Sequence, residues 1–150
     1  MTTKTLGLAL AICAILITAA GCSNAQKKGD ELFAGHMIAP AELAKQIQEG
    51  SAAKLTILNV GPRKNIPGAI KLGMASEPEG MAAYRAQLAK YPKDQQLVIY
   101  CGCCPYEHCP NIRPAVSVLK ELKFTNYRVI DLPSNIDVDW VKKGYPLAQE

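Results

Sequence analysis

Residues 55–60 (Leu, Thr, Ile, Leu, Asn, Val) and 97–100 (Leu, Val, Ile, Tyr) are near-continuous apolar runs rich in β-branched side chains. Neither run keeps a polar face for solvent, so each predicts a strand covered on both sides, in the middle of a parallel sheet. Parallel neighbours need crossover segments between them, and the chain supplies helical patterns for that purpose. One spans 81–90, with Tyr84 and Leu88 four apart; another spans 114–123, with Val118, Leu119 and Leu122. Residues 128–132 predict a further strand and 69–72 a weaker one. Pro40 ahead of Glu42, Leu43 and Ile47, with Gly50 behind, predicts a short first helix, and a last one is expected near 138–143, with Trp140 packed inward and Gly144 at its end. This alternation predicts an α/β fold: a central, mostly parallel sheet with helices on both faces.

The length of 150 residues, with 49% hydrophobic and 20% charged side chains, fits one globular domain. The net charge of +4 comes from 17 basic and 13 acidic residues that are scattered along the chain. That is a solvated surface, and no nucleic-acid partner is expected. Six cysteines are unusual in so short a chain, and four of them fall between 101 and 109. A domain stapled by disulfides spreads its cysteines out.

The N-terminus reads as an address. Lys4 precedes an apolar run over 6–20, and Ala19, Ala20 and Gly21 precede Cys22. The run is shorter than the roughly 20 residues that cross a bilayer as a helix, so residues 1–21 are expected to be a cleaved signal peptide. The ending Ala-Ala-Gly-Cys resembles the lipobox of bacterial lipoproteins. That resemblance implies lipidation of Cys22 and an exported, membrane-anchored protein on the periplasmic face of a bacterial envelope. Residues 22–31 are polar and without aromatic or β-branched side chains, as a flexible tether would be, and the folded domain is expected over 32–150.

In α/β sheets ligands gather at the carboxyl ends of strands, and Cys101 directly follows the apolar run 97–100. The loop from Cys101 to Arg113 then enters a helix whose first turn holds Pro114. Helix N-terminal amides and the charge of Arg113 favour an anion there, which lowers the pKa of a thiol and makes its thiolate the attacking form. Cys101 is the preferred nucleophile, because the strand end fixes it most rigidly. Cys109 is the alternative nucleophile or a resolving thiol, being nearer the helix start, and Cys104 is a second possible resolving thiol. His36 reads as a packing residue, and Asp137 and Asp139 as first-turn helix carboxylates.

Five pieces of the chain stand in one order: Ile57, Leu58, Asn59 and Val60; Asn65, Ile66, Pro67, Gly68 and Ala69; Val98, Ile99, Tyr100 and Cys101; Arg113; then Trp140 with Gly144, Tyr145 and Pro146. This order resembles the rhodanese-like sulfurtransferase domain, from about Pro40 to Leu147. The resemblance implies that Cys101 takes sulfane sulfur from a donor, holds it as a persulfide and passes it to an acceptor thiol, with the loop amides, Gly102 among them, and Arg113 holding the anionic donor. No cofactor is implied.

The chain departs from the family pattern in three places. Arg113 lies twelve residues after Cys101, where the family places its arginine five after the cysteine. Asn59, Val60 and Gly61 stand where the family has aspartate, valine and arginine, which leaves Arg63 as the substitute donor-binding cation. Cys103, Cys104 and Cys109 have no counterpart in the usual loop. They open a second reading, in which Cys101, Cys103, Cys104 and Cys109, with His108 in reserve, bind a soft metal or act as a thiol–disulfide site. Structural bridges within the loop are a third, since exported cysteines commonly pair.

Overall fold

The computed structural model describes residues 31–149. The expected signal peptide, the Cys22 anchor and all of the tether except Glu31 lie outside the described residues. Nine elements follow in order: β1 (Met37–Ile38), α1 (Pro40–Gln48), β2 (Thr56–Asn59), β3 (Ala69–Lys71), α2 (Pro78–Leu88), β4 (Leu97–Tyr100), α3 (Ile112–Glu121), β5 (Tyr127–Ile130) and α4 (Ile136–Asp139). Single turns of 3-10 helix at Ser51–Lys54, Tyr106–His108 and Val141–Lys143 fill three of the connections. Among the described residues no helix is long and apolar enough to cross a membrane.

The five strands form one sheet in the order β1-β5-β4-β2-β3, and every pairing is parallel. The two apolar runs read from the sequence are interior neighbours, in register Ile57 with Val98 and Leu58 with Ile99. Successive side chains of a strand point to opposite faces, so these runs feed two cores. Leu58, Leu97, Ile99 and Val129 pack against Tyr84 and Leu88 of α2 and Ala115, Val116 and Leu119 of α3. Ile57, Val98, Tyr100 and Ile130 pack on the other face against Leu43 of α1, Ile136 of α4, and Trp140. Trp140 is fully buried and donates its indole N–H to the Pro146 carbonyl at 2.8 Å, so its polar edge is satisfied inside the core.

The sheet is wholly parallel, in keeping with the expected α/β fold, and two details differ from the sequence expectation. It gains an edge strand, β1, whose two residues are too short to carry any periodicity; His36 beside it stacks on Tyr127 with ring centroids 4.0 Å apart. Helices α2 and α3 also begin earlier than 81 and 114, since Pro78 takes the first helical position of α2 and α3 starts at Ile112.

The connection from β2 to its parallel neighbour β3 contains no helix, and side chains hold it instead. The fully buried Asn59 side chain accepts from Gly61 N–H at 3.0 Å and donates to the Arg63 carbonyl at 3.1 Å and to Asn65 Oδ1 at 2.9 Å. From the adjacent strand the Tyr100 hydroxyl accepts from Ile66 N–H at 3.0 Å and donates to the Lys64 carbonyl at 3.1 Å. A buried polar residue at the end of each central strand thus fixes the loop that borders the site.

Candidate functional site: a four-thiol loop at the end of the central strand

Strand β4 delivers Cys101 to the carboxyl edge of the sheet, on the same face as Leu97 and Ile99. The next residue, Gly102, has φ of +77°, in the left-handed region that favours glycine. A Cβ on Gly102 would also lie 2.9 Å from Ile136 Cβ, and its carbonyl accepts from Ile136 N–H at 3.1 Å. Gly102 therefore turns the loop and docks it on α4. The Tyr106–His108 turn then reverses the chain, with His108 N–H donating to the Pro105 carbonyl and Cys109 N–H to the Tyr106 carbonyl. That reversal carries Cys109 back beside Cys101, immediately ahead of α3.

The sulfurs form a compact group. Cys103 Sγ is 3.2 Å from Cys101 Sγ, 3.0 Å from Cys104 Sγ and 3.8 Å from Cys109 Sγ. All four of these cysteines are free thiols in this structure. Cys101 and Cys109 are buried, while Cys103 and Cys104 are half-buried and lie toward solvent. A cavity of about 10 Å³ opens beside Cys101, Cys104, Cys109, Tyr106, Ile130 and Leu132. That is on the order of the volume taken by one water.

Hydrogen bonding separates the two buried thiols. Cys101 Sγ donates to Cys103 Sγ at 3.2 Å, while the neighbouring Cys101 thiol and the backbone N–H groups of Ile112 and Asn111 favour a negative Cys109 sulfur. Together they outweigh burial and bring the Cys109 thiol down to about 5. The interaction with Cys109, with burial next, pushes the Cys101 thiol up. Burial and the neighbouring Cys103 push Cys104 up to about 12. The expectation that the helix N-terminus would lower the Cys101 pKa is therefore corrected. The terminal amides favour negative charge on Cys109 instead.

The remaining predicted residues divide. Arg113 sets its guanidinium 5.7 Å from the Phe33 ring and donates to the Glu107 carbonyl at 3.2 Å, which ties the 3-10 turn to α3. Arg63 is exposed and pairs with Asp137 at 3.9 Å, at a surface where charge pairs contribute little to stability. It also borders the thiol loop, because a Cβ on Gly102 would lie 3.5 Å from Arg63 Cβ. His108 is exposed and does not join the sulfur group.

Two site residues escaped the sequence reading. Asn111 is 2% exposed, accepts from Ser76 N–H through Oδ1 at 2.9 Å and donates from Nδ2 to Cys101 Sγ at 3.3 Å. It stands at the N-cap position of α3, where asparagine reads as a helix cap, yet its side chain makes no cap hydrogen bond. Gly61 lies so close to Cys101 that a Cβ would come within 2.3 Å of Sγ. The signal for both was their type and place, a polar amide before the loop's helix and a glycine directly after a strand.

No protein family and no curated protein matches the chain. Among solved structures, two variants of EanB in complex with hercynine share its fold, each with a TM-score of 0.54. Identity is 20% and 19% over 80% and 79% of this chain, which spans only 29% and 28% of those chains. The likeness is one of α/β fold.

Proposed function

We propose that this chain is a rhodanese-like sulfurtransferase that carries sulfane sulfur as a cysteine persulfide, with Cys109 as the nucleophile and Cys101 as its proton-bearing partner. The observation that carries the reading is the compact group of free thiols at the carboxyl end of β4, with Cys103 Sγ 3.2 Å from Cys101 Sγ and 3.8 Å from Cys109 Sγ; the amides of Asn111 and Ile112 and the Cys101 thiol favour charge on Cys109. The thiolate attacks the sulfane sulfur of a donor. A sulfur–sulfur bond forms as the donor's bond to that sulfur breaks, and the bonding pair leaves with the donor. An acceptor thiolate then attacks the outer sulfur of the persulfide, takes it, and returns Cys109 as thiolate.

The small cavity at Cys109 has room on the order of one added atom. Cys103, whose sulfur is 3.8 Å from Cys109, is the first thiol that an outgoing sulfur meets, and Cys104 follows it toward solvent. The test is the intact mass of the reduced chain before and after a sulfane-sulfur donor such as thiosulfate. One sulfur atom should be gained, removed by reductant, and mapped to the peptide holding Cys109. Free thiols with no sulfur uptake from thiosulfate or from a small persulfide overturn the proposal.

The same reading includes export and a lipid on Cys22, which together would hold the domain at a membrane surface. Cells fed a tagged fatty acid should label the chain, and Cys22→Ser should abolish the label. Equal labelling of the two rejects the anchor.

A further inference from the structure

We infer that Cys101, Cys103 and Cys109 form a three-sulfur seat for a soft monovalent cation, copper(I) in charge and bonding. Their Sγ atoms all lie within 4.8 Å of one another. A metal bonded to three sulfurs at about 2.3 Å needs them roughly 4 Å apart, so the observed 3.2 Å and 3.8 Å separations close on an ion with sub-ångström side-chain adjustments.

The donor set selects the metal. It is wholly thiol, without a carboxylate or imidazole, which favours soft cations over calcium, magnesium or manganese. It also stops at three. Cys104 is 3.0 Å from Cys103 but stands outside the group whose sulfurs are mutually within 4.8 Å. Structural zinc is almost always four-coordinate, whereas a filled-shell monovalent ion is satisfied by three thiolates. The small cavity beside Cys101 and Cys109 is lined by Ile112, Ile130 and Leu132, whose apolar side chains offer a fourth-ligand water no hydrogen-bond partners. Each thiol that bonds as thiolate releases its proton to solvent, and no electron is exchanged. The seat does not depend on the sulfur-transfer reading, but it uses the same sulfurs, so an occupied seat blocks persulfide formation.

The test uses the full chain carrying Cys13→Ser and Cys22→Ser, reduced, anaerobic and in detergent, so that the loop holds its only thiols. Copper(I) is titrated against bicinchoninate. One ion per chain should be retained, with the luminescence of a solvent-shielded copper–thiolate centre. Cys103→Ser should weaken retention by roughly 100-fold or more, beyond what loss of a mere second-shell contact costs, while Cys104→Ser should leave it unchanged. Thermal melts of the two metal-free variants separate ligand loss from misfolding. Transfer of all copper to bicinchoninate, equal losses in the two variants, or displacement of the copper by equimolar zinc would each overturn the inference. Sulfur uptake is measured separately on metal-free protein, so its failure leaves the cation result standing.

Discussion

Alkylation of the reduced protein by a small uncharged reagent is expected to rise with pH through a midpoint near 5, and peptide mapping should find the label on Cys109. The cause is local: Cys101 and the first amides of α3 stabilise the ionised sulfur and bring its thiol to about 5. The size of the effect follows from two opposing factors. At about pH 6, roughly 0.9 of such a group is ionised against about 0.001 of a thiol titrating near 9, a gain of about 900-fold; the lower intrinsic nucleophilicity of the less basic thiolate takes back about 60-fold. The net advantage is about 15-fold at pH 6 and nearly vanishes at neutrality. Cys109→Ser should remove the acidic limb completely. Survival of that limb in Cys109→Ser, with its loss in Cys101→Ser, would return the nucleophile to Cys101.

The same pair links stability to pH. Cys109 ionises at lower pH in the folded chain than in the unfolded one, where its thiol titrates near 9. Between about 5 and 9 the unfolded chain binds more protons, so this contribution is present in full above 9 and lost as pH falls through 5. Cys101 has the opposite sign. Its raised pKa keeps it protonated where the unfolded chain ionises, so its contribution is full below 9 and declines as pH climbs above that value. The one-proton state of the two thiols is therefore the state the fold favours.

Much of this architecture is legible in the sequence because burial on both faces forces a compositional signature. Residues 97–100 read as a central strand, and β4 is central, since a strand between two neighbours and two helix layers leaves little place for a polar group except at its end, where the Tyr100 hydroxyl is hydrogen-bonded. Edge strand β1 was invisible for the converse reason: two residues cannot show a period. The cysteine loop was legible as a cluster, but its division of labour was not. Which thiol ionises depends on the return of Cys109 across the Tyr106–His108 turn, a contact between residues eight apart in the chain that no spacing encodes. Asn111 was hidden by a competing local role. Its position favours capping, and only tertiary structure, through the Ser76 amide, turns its side chain toward Cys101 instead.

Replacing Gly61 by alanine is expected to destabilise the domain by about 3 kcal/mol, at the upper end for overpacking, and to displace the thiol group with it. The added Cβ would lie 2.3 Å from Cys101 Sγ, 2.6 Å from Cys101 O and 2.9 Å from Cys101 Cα. A rotamer change relieves only the first of these, since the other two atoms are backbone. The ends of β2 and β4 must part, against the 2.9 Å hydrogen bond from Val60 N–H to the Tyr100 carbonyl. For a domain of this size the melting temperature should fall by roughly 10 °C. Because the strain falls on Cys101, its support of a negative Cys109 sulfur should weaken too, and the acidic midpoint of alkylation should move upward. A melting temperature within about a degree of the parent, with that midpoint unmoved, would refute this coupling. The arginine that the resembled family carries at this position would meet the same backbone atoms. Glycine at 61 is thus what lets this chain seat Cys101 against the end of β2.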